Sequence, residues 1–445
     1  MKILFISLGC DKNLADSEEM LGLLTASGHE IVDSEEDADG IVINTCCFIH
    51  DAKEESINTI LEMAEYKKQG TCKALIVTGC MAQRYKEEII QEIPEVDSVL
   101  GTTSYGDIVK ALNEAAVGNH FEEFKDINYL PEDSGRRILT TGGHFGYLKI
   151  AEGCDKHCTY CIIPSLRGRF RSVPEERLLA QAEYMASQGV KELILVAQET
   201  TVYGTDIYGH KTLHILLRKL CKISGIRWIR ILYCYPEEIY DELIQVMKEE
   251  KKICHYLDLP IQHCSDRILK RMGRRTSKAQ LIEIIAKLRK EIPDIVLRTS
   301  LITGFPGETE EDHQELMEFV DETEFDRLGV FNYSPEEGTP AASMPDQIPE
   351  ELKEERRDEI MALQQEISLE KGNERIGQEM LVMIEGKVSG ESAYIGRTYA
   401  DAPKVDGYMF VQTGELMVTG DFARVCVTGA LEYDLIGELA DEYTE

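Results

Sequence analysis

The sequence has little aromatic side chain (7 %), a single tryptophan and only 13 prolines in 445 residues. It has no apolar run near the ~20 residues that cross a bilayer, which argues against a membrane protein. It has no low-complexity segment, so no part of the chain is set apart by composition alone. Positive charge is also short: 48 Lys plus Arg stand against 81 Asp plus Glu, a net of −33. Such a balance repels phosphate and favours basic partners, without forbidding a local basic groove. The opening MKILFISLGC offers one lysine and a short apolar run. Asp11, Lys12 and the acidic stretch Asp16 to Glu19 then follow with no small-residue cleavage site. It reads as a first buried strand, not a secretion signal, and the protein is expected to be cytoplasmic.

Cysteine, by contrast, is plentiful at 13 residues. In a cytoplasmic chain that argues against a disulfide framework and for metal or redox chemistry. A chain this long has room for two to four domains with sizeable cores.

The patterning is α/β. Residues 1–118 repeat strand, cysteine, helix: strands at 2–10, 40–46 and 73–80, helical stretches from Ser17 to Ser27, Ala52 to Lys68 and Arg84 to Ile93. Continuous apolar strands alternating with helices predict a doubly wound parallel sheet. Residues 119–146 are mixed and polar and read as a linker or hairpin. From 147 to 372 six strand-like runs follow, at 147–151, 192–197, 228–233, 256–261, 296–302 and 327–333, separated by helices such as 175–188 and 277–291. Six βα units without the last two predict a partial, TIM-like barrel with its site at the strand carboxyl ends. A charged helix at about 350–371 leaves that barrel. Residues 373–445 then show short alternating strands, which predict a small antiparallel β-barrel of about five strands.

Two groups of three cysteines stand out. Cys154, Cys158 and Cys161 form C-x3-C-x2-C directly after the first barrel strand. A four-iron cluster wants four ligands, and three thiolates leave one iron open for a substrate. The competing reading is half a structural zinc site, with His157 as a further ligand, but no second cysteine pair lies nearby. Cys10, Cys46 and Cys80 are spaced by 36 and 34 residues, about one βα unit each, and fall at equivalent strand ends. In doubly wound sheets ligands bind beyond those ends. Any one of them alone would read as a small buried residue. Cys47 adjoins Cys46, and strand alternation places it on the other side of the chain. Cys72, Cys221, Cys234, Cys254, Cys264 and Cys426 join neither group and read as core or surface thiols.

The runs SLGCDKNLADSE, NTCCFI and TGCMAQRY, then KIAEGCDKHCTYCIIPSLRGRFRS, resemble the methylthiotransferase family of radical S-adenosylmethionine enzymes. PIQHCSDRILKRMGR, SLITGFPGETEEDH and FNYSPEEGTPAA extend the resemblance over essentially the whole chain. It implies an N-terminal methylthiotransferase domain, a radical SAM core and a C-terminal TRAM barrel. It further implies two [4Fe-4S] clusters, one on each cysteine triad, with S-adenosyl-L-methionine at the barrel cluster and a low-potential donor such as flavodoxin or ferredoxin. Two substrates dominate the family: an adenosine in transfer RNA, and an aspartate in the small-subunit ribosomal protein numbered twelve. LGCDKNLADSE and GRTYADAPKVDGYMFV resemble the ribosomal-protein branch.

Charge gives a separate argument. Residues 373–445 hold 14 Asp plus Glu against 5 Lys plus Arg, a net of −9. Nucleic-acid binding draws much of its affinity from Lys and Arg on phosphates, so this barrel is a poor dock for transfer RNA and suits a basic ribosomal protein. The resemblance implies that a 5′-deoxyadenosyl radical takes hydrogen from the aspartate β-carbon, which then receives the methylthio group. Tyr147, Lys149, Gln198, Glu199, Arg298, His263 and the 301–308 turn could approach the site. Barrel packing (Tyr147), a solvated surface (Lys149), a buried histidine (His263) and turn formation (Gly304 and Gly307) compete as explanations. A cluster scaffold or electron carrier is the non-enzymatic alternative, although such carriers need no barrel or tail.

Overall fold

A computed structural model describes residues 1–70, 72–132 and 135–440. In the N-terminal unit β1 (Lys2–Ser7), β3 (Gly40–Thr45) and β4 (Ala74–Gly79) form the centre of a parallel sheet. GIVINT and ALIVTG are buried along their whole length, the expected signature of strands covered by helices on both faces. With β2 (Glu30–Val32), β5 (Ser98–Leu100) and β6 (Phe121–Glu123), the order is β2-β1-β3-β4-β5-β6. The order reverses between β1 and β3, which opens a crevice at their carboxyl ends. Strand β6 lies inside the stretch read from sequence as a linker and pairs with β5, Ser98 opposite Phe121.

Local boundaries differ from the sequence reading, and three of the differences have a plain physical cause or consequence. The first helix runs Asp11–Ala26, six residues earlier at its start than its apolar pattern suggested. The third helical stretch is two pieces, Cys80–Arg84 and Lys86–Glu92, broken at Tyr85. The fourth strand of the second unit ends at Asp258, not 261, because Pro260 has no N–H for the ladder.

That second unit is a six-stranded parallel sheet in sequence order: β7 (Phe145–Lys149), β10 (Glu192–Val196), β11 (Trp228–Ile231), β12 (Ile253–Asp258), β13 (Val296–Thr303) and β14 (Arg327–Asn332). Strands β7 and β14 are its edges, so it is an open (βα)6 barrel. A small ribbon, β8 (Ala151–Glu152) with β9 (Arg171–Ser172), frames the loop after β7. Helix Glu350–Asn373 leads to the C-terminal strands β15 (Glu379–Lys387), β16 (Ala393–Arg397), β17 (Met409–Gln412), β18 (Phe422–Ala430) and β19 (Leu435–Leu439). They close as β15-β16-β17-β19-β18, with β17 and β19 parallel and the other pairs antiparallel.

The segment after β16 plugs the open barrel. Ala400, Ala402 and Tyr399 pack with Tyr147, Val196, Tyr256 and Val296 of the barrel interior. Buried charges accompany this contact. Glu192 receives Arg230 and Arg397, each at 2.7 Å, and all three are fully buried. Arg327 meets Asp401 at 2.5 Å, and the Tyr256 hydroxyl donates to Asp406 at 2.7 Å. Buried charges persist where partners satisfy them on several sides, as here. Among the described residues no helix is long and apolar enough to cross a membrane.

Candidate functional site

The barrel triad sits in a loop clamped by backbone contacts. The Cys154 N–H donates to Gly168 O at 3.1 Å, and the Cys161 N–H to Cys158 O at 3.0 Å. The Thr159 N–H and hydroxyl donate to the carbonyls of Met272 (2.9 Å) and Arg271 (2.8 Å). Gly153 has φ +77°, and a Cβ there would lie 2.1 Å from Arg169 O, so only glycine lets the loop close on itself. Cys154 and Cys158 are buried and Cys161 is half-buried. Burial first, then the neighbouring thiols, pushes Cys161 up to about 12; burial with Glu199 and Cys158 nearby pushes Cys154 up to about 11. The Tyr235 hydroxyl lies 3.3 Å from Sγ of Cys158. His157 is exposed.

The other three cysteines come from the crevice of the N-terminal sheet. Cys10 precedes helix Asp11–Ala26, Cys46 follows β3, and Cys80 opens the short helix after β4. Gly9, at φ +88°, lets the first loop lie on Cys46: a Cβ there would sit 2.7 Å from Cys46 Cβ. Asn13 ties the strand ends together, its amide donating to Leu8 O (3.1 Å) and Thr45 O (2.9 Å). Asn44 donates to Asn13 O at 3.0 Å and to the Ser17 hydroxyl at 2.9 Å. Cys46 is pushed up to about 12 by burial, then by Cys80 and Cys10; Cys80 is raised by burial and by Cys10, against the pull of Arg167. The three thiols therefore lie within electrostatic reach of one another. Cys47 is fully buried in the apolar cluster under the sheet with Ile60, Leu75 and Val77.

Both groups are soft sulfur donors; Cys10 is exposed, burial raises Cys46, Cys80, Cys154 and Cys161, and a metal is what makes such thiols thiolates. Among the described residues no three Cys, His, Asp or Glu side chains surround one point closely enough for a single ion. A four-iron cubane takes each thiolate on a different iron. The donor chemistry fits that group.

A buried network ties the N-terminal triad to the helix and strand ends beside the barrel triad. The Arg167 guanidinium donates to Cys80 Sγ at 3.4 Å, to Asp16 at 2.8 Å, to Glu152 at 3.3 Å and to Asn13. Lys149 is not solvated: it is paired with Asp16 and, at 2.9 Å, with Glu152. The Gln198 amide donates to Glu152 at 3.0 Å. Gln198 Oε1 and Glu199 Oε2 are buried at the end of β10 without a hydrogen-bond partner among the described residues. Burial pushes Glu199 up to about 7 although Thr201 donates to its other oxygen at 2.9 Å. These adjacent acceptors suit an ammonium group.

The remaining candidates divide. Tyr147 is barrel packing. Arg298 is held by Asp258 at 2.8 Å and Asp406 at 3.4 Å, which binds barrel to plug. His263 is fully buried and accepts the N–H groups of Cys264 (3.0 Å) and Ser265 (2.9 Å), and burial lowers it to about 3, so it is a structural neutral imidazole. Gly304 and Gly307 make room for Lys353 and Arg271, whose side chains a Cβ would meet at 2.2 and 2.9 Å. Asn13, Asp16, Glu152, Arg167 and Tyr235 were missed as functional candidates. Four of them lie inside the quoted cysteine runs, but nothing in a sequence says that a polar side chain turns inward.

Comparisons with known proteins match three segments. Residues 2–101 match the Uncharacterized protein family UPF0004, 148–320 the Radical SAM superfamily and 376–440 the TRAM domain. The ribosomal protein uS12 methylthiotransferase RimO of Lachnoclostridium phytofermentans is 64 % identical over 98 % of this chain and 99 % of its own. The protein of that name from Pelotomaculum thermopropionicum is 51 % identical over 98 % and 99 %, and that from Clostridium perfringens 52 % over 99 % and 98 %. Among solved structures, the radical S-adenosylmethionine methyltransferase TsrM of Kitasatospora setae superposes with a TM-score of 0.55 at 11 % identity, covering 85 % of this chain and 78 % of that one. The cobalamin-dependent radical enzyme OxsB gives 0.53 at 15 %, covering 81 % and 56 %. These structures share the fold.

Proposed function

Because the chain belongs to the RimO family of ribosomal protein uS12 methylthiotransferases, which are radical S-adenosylmethionine enzymes, we propose that it replaces a hydrogen on the β-carbon of an aspartate of uS12 with a methylthio group. The observation that carries this is the pair of cysteine triads, each at strand carboxyl ends, with Arg167 from the helix that follows the barrel triad in contact with Cys80 of the other. Cys154, Cys158 and Cys161 would hold one four-iron cluster and Cys10, Cys46 and Cys80 a second. When bound, the first would supply the electron for reductive cleavage of S-adenosylmethionine, and the second would supply the methylthio sulfur.

The protein's own groups bind, orient and exclude. Gln198 Oε1 and Glu199 Oε2, buried and unpartnered, would accept from the amino group of S-adenosylmethionine. The Ala400–Ala402 plug closes the floor of the barrel and keeps water from the radical. The Arg298 pairs with Asp258 and Asp406 fix that floor to the strand ends. The acidic tail favours a lysine- and arginine-rich protein over transfer RNA. A low-potential flavodoxin or ferredoxin in the cytoplasm would supply the electrons.

The test is anaerobic turnover of cluster-loaded protein with S-adenosylmethionine, dithionite and uS12, read by mass spectrometry. The expected products are 5′-deoxyadenosine and a uS12 aspartate peptide carrying one methylthio group. A modified transfer-RNA adenosine with unmodified uS12 would overturn the substrate. No 5′-deoxyadenosine from fully loaded protein would overturn the reaction class.

A further inference from the structure

Two residues after Cys161 begins the short helix Ile163–Arg167, whose last side chain ends on the other triad. Arg167 is 2 % exposed, and its fork has two faces. One terminal nitrogen donates to Cys80 Sγ and to Asn13; the other donates to Asp16 and Glu152. With Lys149 on the same carboxylates, two cations and two anions form a buried, balanced foursome. The balance is not symmetric towards sulfur, since the guanidinium is in contact and the carboxylates stand behind it. Among the described residues no cationic side chain donates to a sulfur of the barrel triad. Cys158 meets the neutral Tyr235 hydroxyl, and Arg274 lies beyond, 4.1 Å from the Tyr235 ring centre.

The potential of an iron–sulfur cluster follows its net charge and the hydrogen bonds to its sulfurs. A buried cation on a ligand sulfur stabilises the added electron, the more so where the dielectric is low. We propose that Arg167 is a positioning residue that holds positive charge against the Cys80 sulfur and raises the reduction potential of the N-terminal cluster selectively. The inference rests on the two-cluster reading above. The guanidinium arrives from the helix that begins at the barrel loop, so this charge is delivered from beside one cluster to the other.

The test is an EPR-monitored redox titration of the full-length, doubly loaded protein. The barrel cluster is identified by its response to S-adenosylmethionine. Arg167→Gln is expected to lower the N-terminal cluster's reduction equilibrium constant at least tenfold, about 59 mV for one electron, and leave the barrel midpoint in place. Asp16→Asn removes an anion behind the guanidinium and is expected to move the same midpoint the other way. Arg167→Lys, which keeps the charge but not the fork, is expected to fall between wild type and Arg167→Gln. A merely structural role would not produce shifts of opposite sign. If Arg167→Gln does not fold, the upward shift in Asp16→Asn still decides. An unmoved N-terminal midpoint, shifts of one sign in both variants, or equal shifts at both clusters overturn the role of Arg167 and leave the two-cluster reading standing. A wild-type chain that loads only one cluster overturns that reading, and this inference with it.

Discussion

The two cysteine sites differ in how completely their surroundings are satisfied. Around Cys10, Cys46 and Cys80 the polar side chains are paired: Asn13 and Asn44 bridge two strand ends and the first helix, the Ser7 and Ser17 hydroxyls meet at 2.7 Å, and Thr45 donates to Thr78 O at 2.5 Å. At the barrel mouth Gln198 Oε1, Glu199 Oε2, and Nε and one terminal nitrogen of Arg274 are buried without a hydrogen-bond partner among the described residues. Each such atom costs about 1–3 kcal/mol. Proteins keep such costs where a ligand supplies the missing partner. The first site is thus finished as a frame for three sulfurs. The second is finished only when a polar molecule enters beside them.

The largest effect separates the two sites outright. Replacing Cys154, Cys158 or Cys161 with alanine is expected to abolish 5′-deoxyadenosine formation and uS12 modification together. Replacing Cys10, Cys46 or Cys80 is expected to abolish modification while S-adenosylmethionine cleavage continues. Triple replacement at either site should halve the iron from about eight to about four per chain. Iron analysis with product quantitation checks this. Methylthio transfer surviving loss of the N-terminal triad would break the comparison.

A smaller effect tests whether the N-terminal frame is as tightly built as it looks. Asn13→Ala strips partners from Leu8 O, Thr45 O and Arg167. It is expected to cost about 2–3 kcal/mol and to release iron from the N-terminal site first. Gln198→Ala, which deletes an unsatisfied oxygen with its amide, is expected to cost less. Denaturant unfolding of both variants beside wild type gives the ranking, and equal losses would erase the distinction.

The contrast also explains what the sequence could announce. Strand runs such as GIVINT and ALIVTG are apolar throughout and readable, and the cysteines at their ends carry a spacing. The open six-strand barrel and the small closed barrel followed from period and order alone. The start of helix Asp11–Ala26 was hidden because Lys12, Asn13, Asp16, Ser17, Glu18 and Glu19 are buried polar residues, which erase the apolar period that marks a helix. The same inversion left Lys149 open between site residue and solvated surface, and concealed Arg167, which sits in a quoted cysteine run with no sign that it points at sulfur. Strand β6 was too short and too charged to be told from a linker. Its pairing depends on β5, a partner that no local window contains.

The finest test concerns Glu199, where stability and binding should part. Burial lifts its carboxyl from 4.5 to about 7, so the folded chain favours the neutral form. Its contribution to stability is therefore complete below 4.5 and is lost as pH rises through about 7. Lys156 offsets the loss in part and Glu238 adds to it. Glu199→Gln has no proton to release, so from about pH 4.5 to about pH 7 its unfolding midpoint should stay level while that of the wild type declines. The same change weakens the acceptor offered to an ammonium group, and KM for S-adenosylmethionine should rise about tenfold, about 1.4 kcal/mol, with the iron content unchanged. A variant that gains relative stability at alkaline pH yet binds the cofactor worse is what an atom left unpaired for a ligand must give. A variant unchanged in both would mean that the barrel mouth is as self-sufficient as the N-terminal frame.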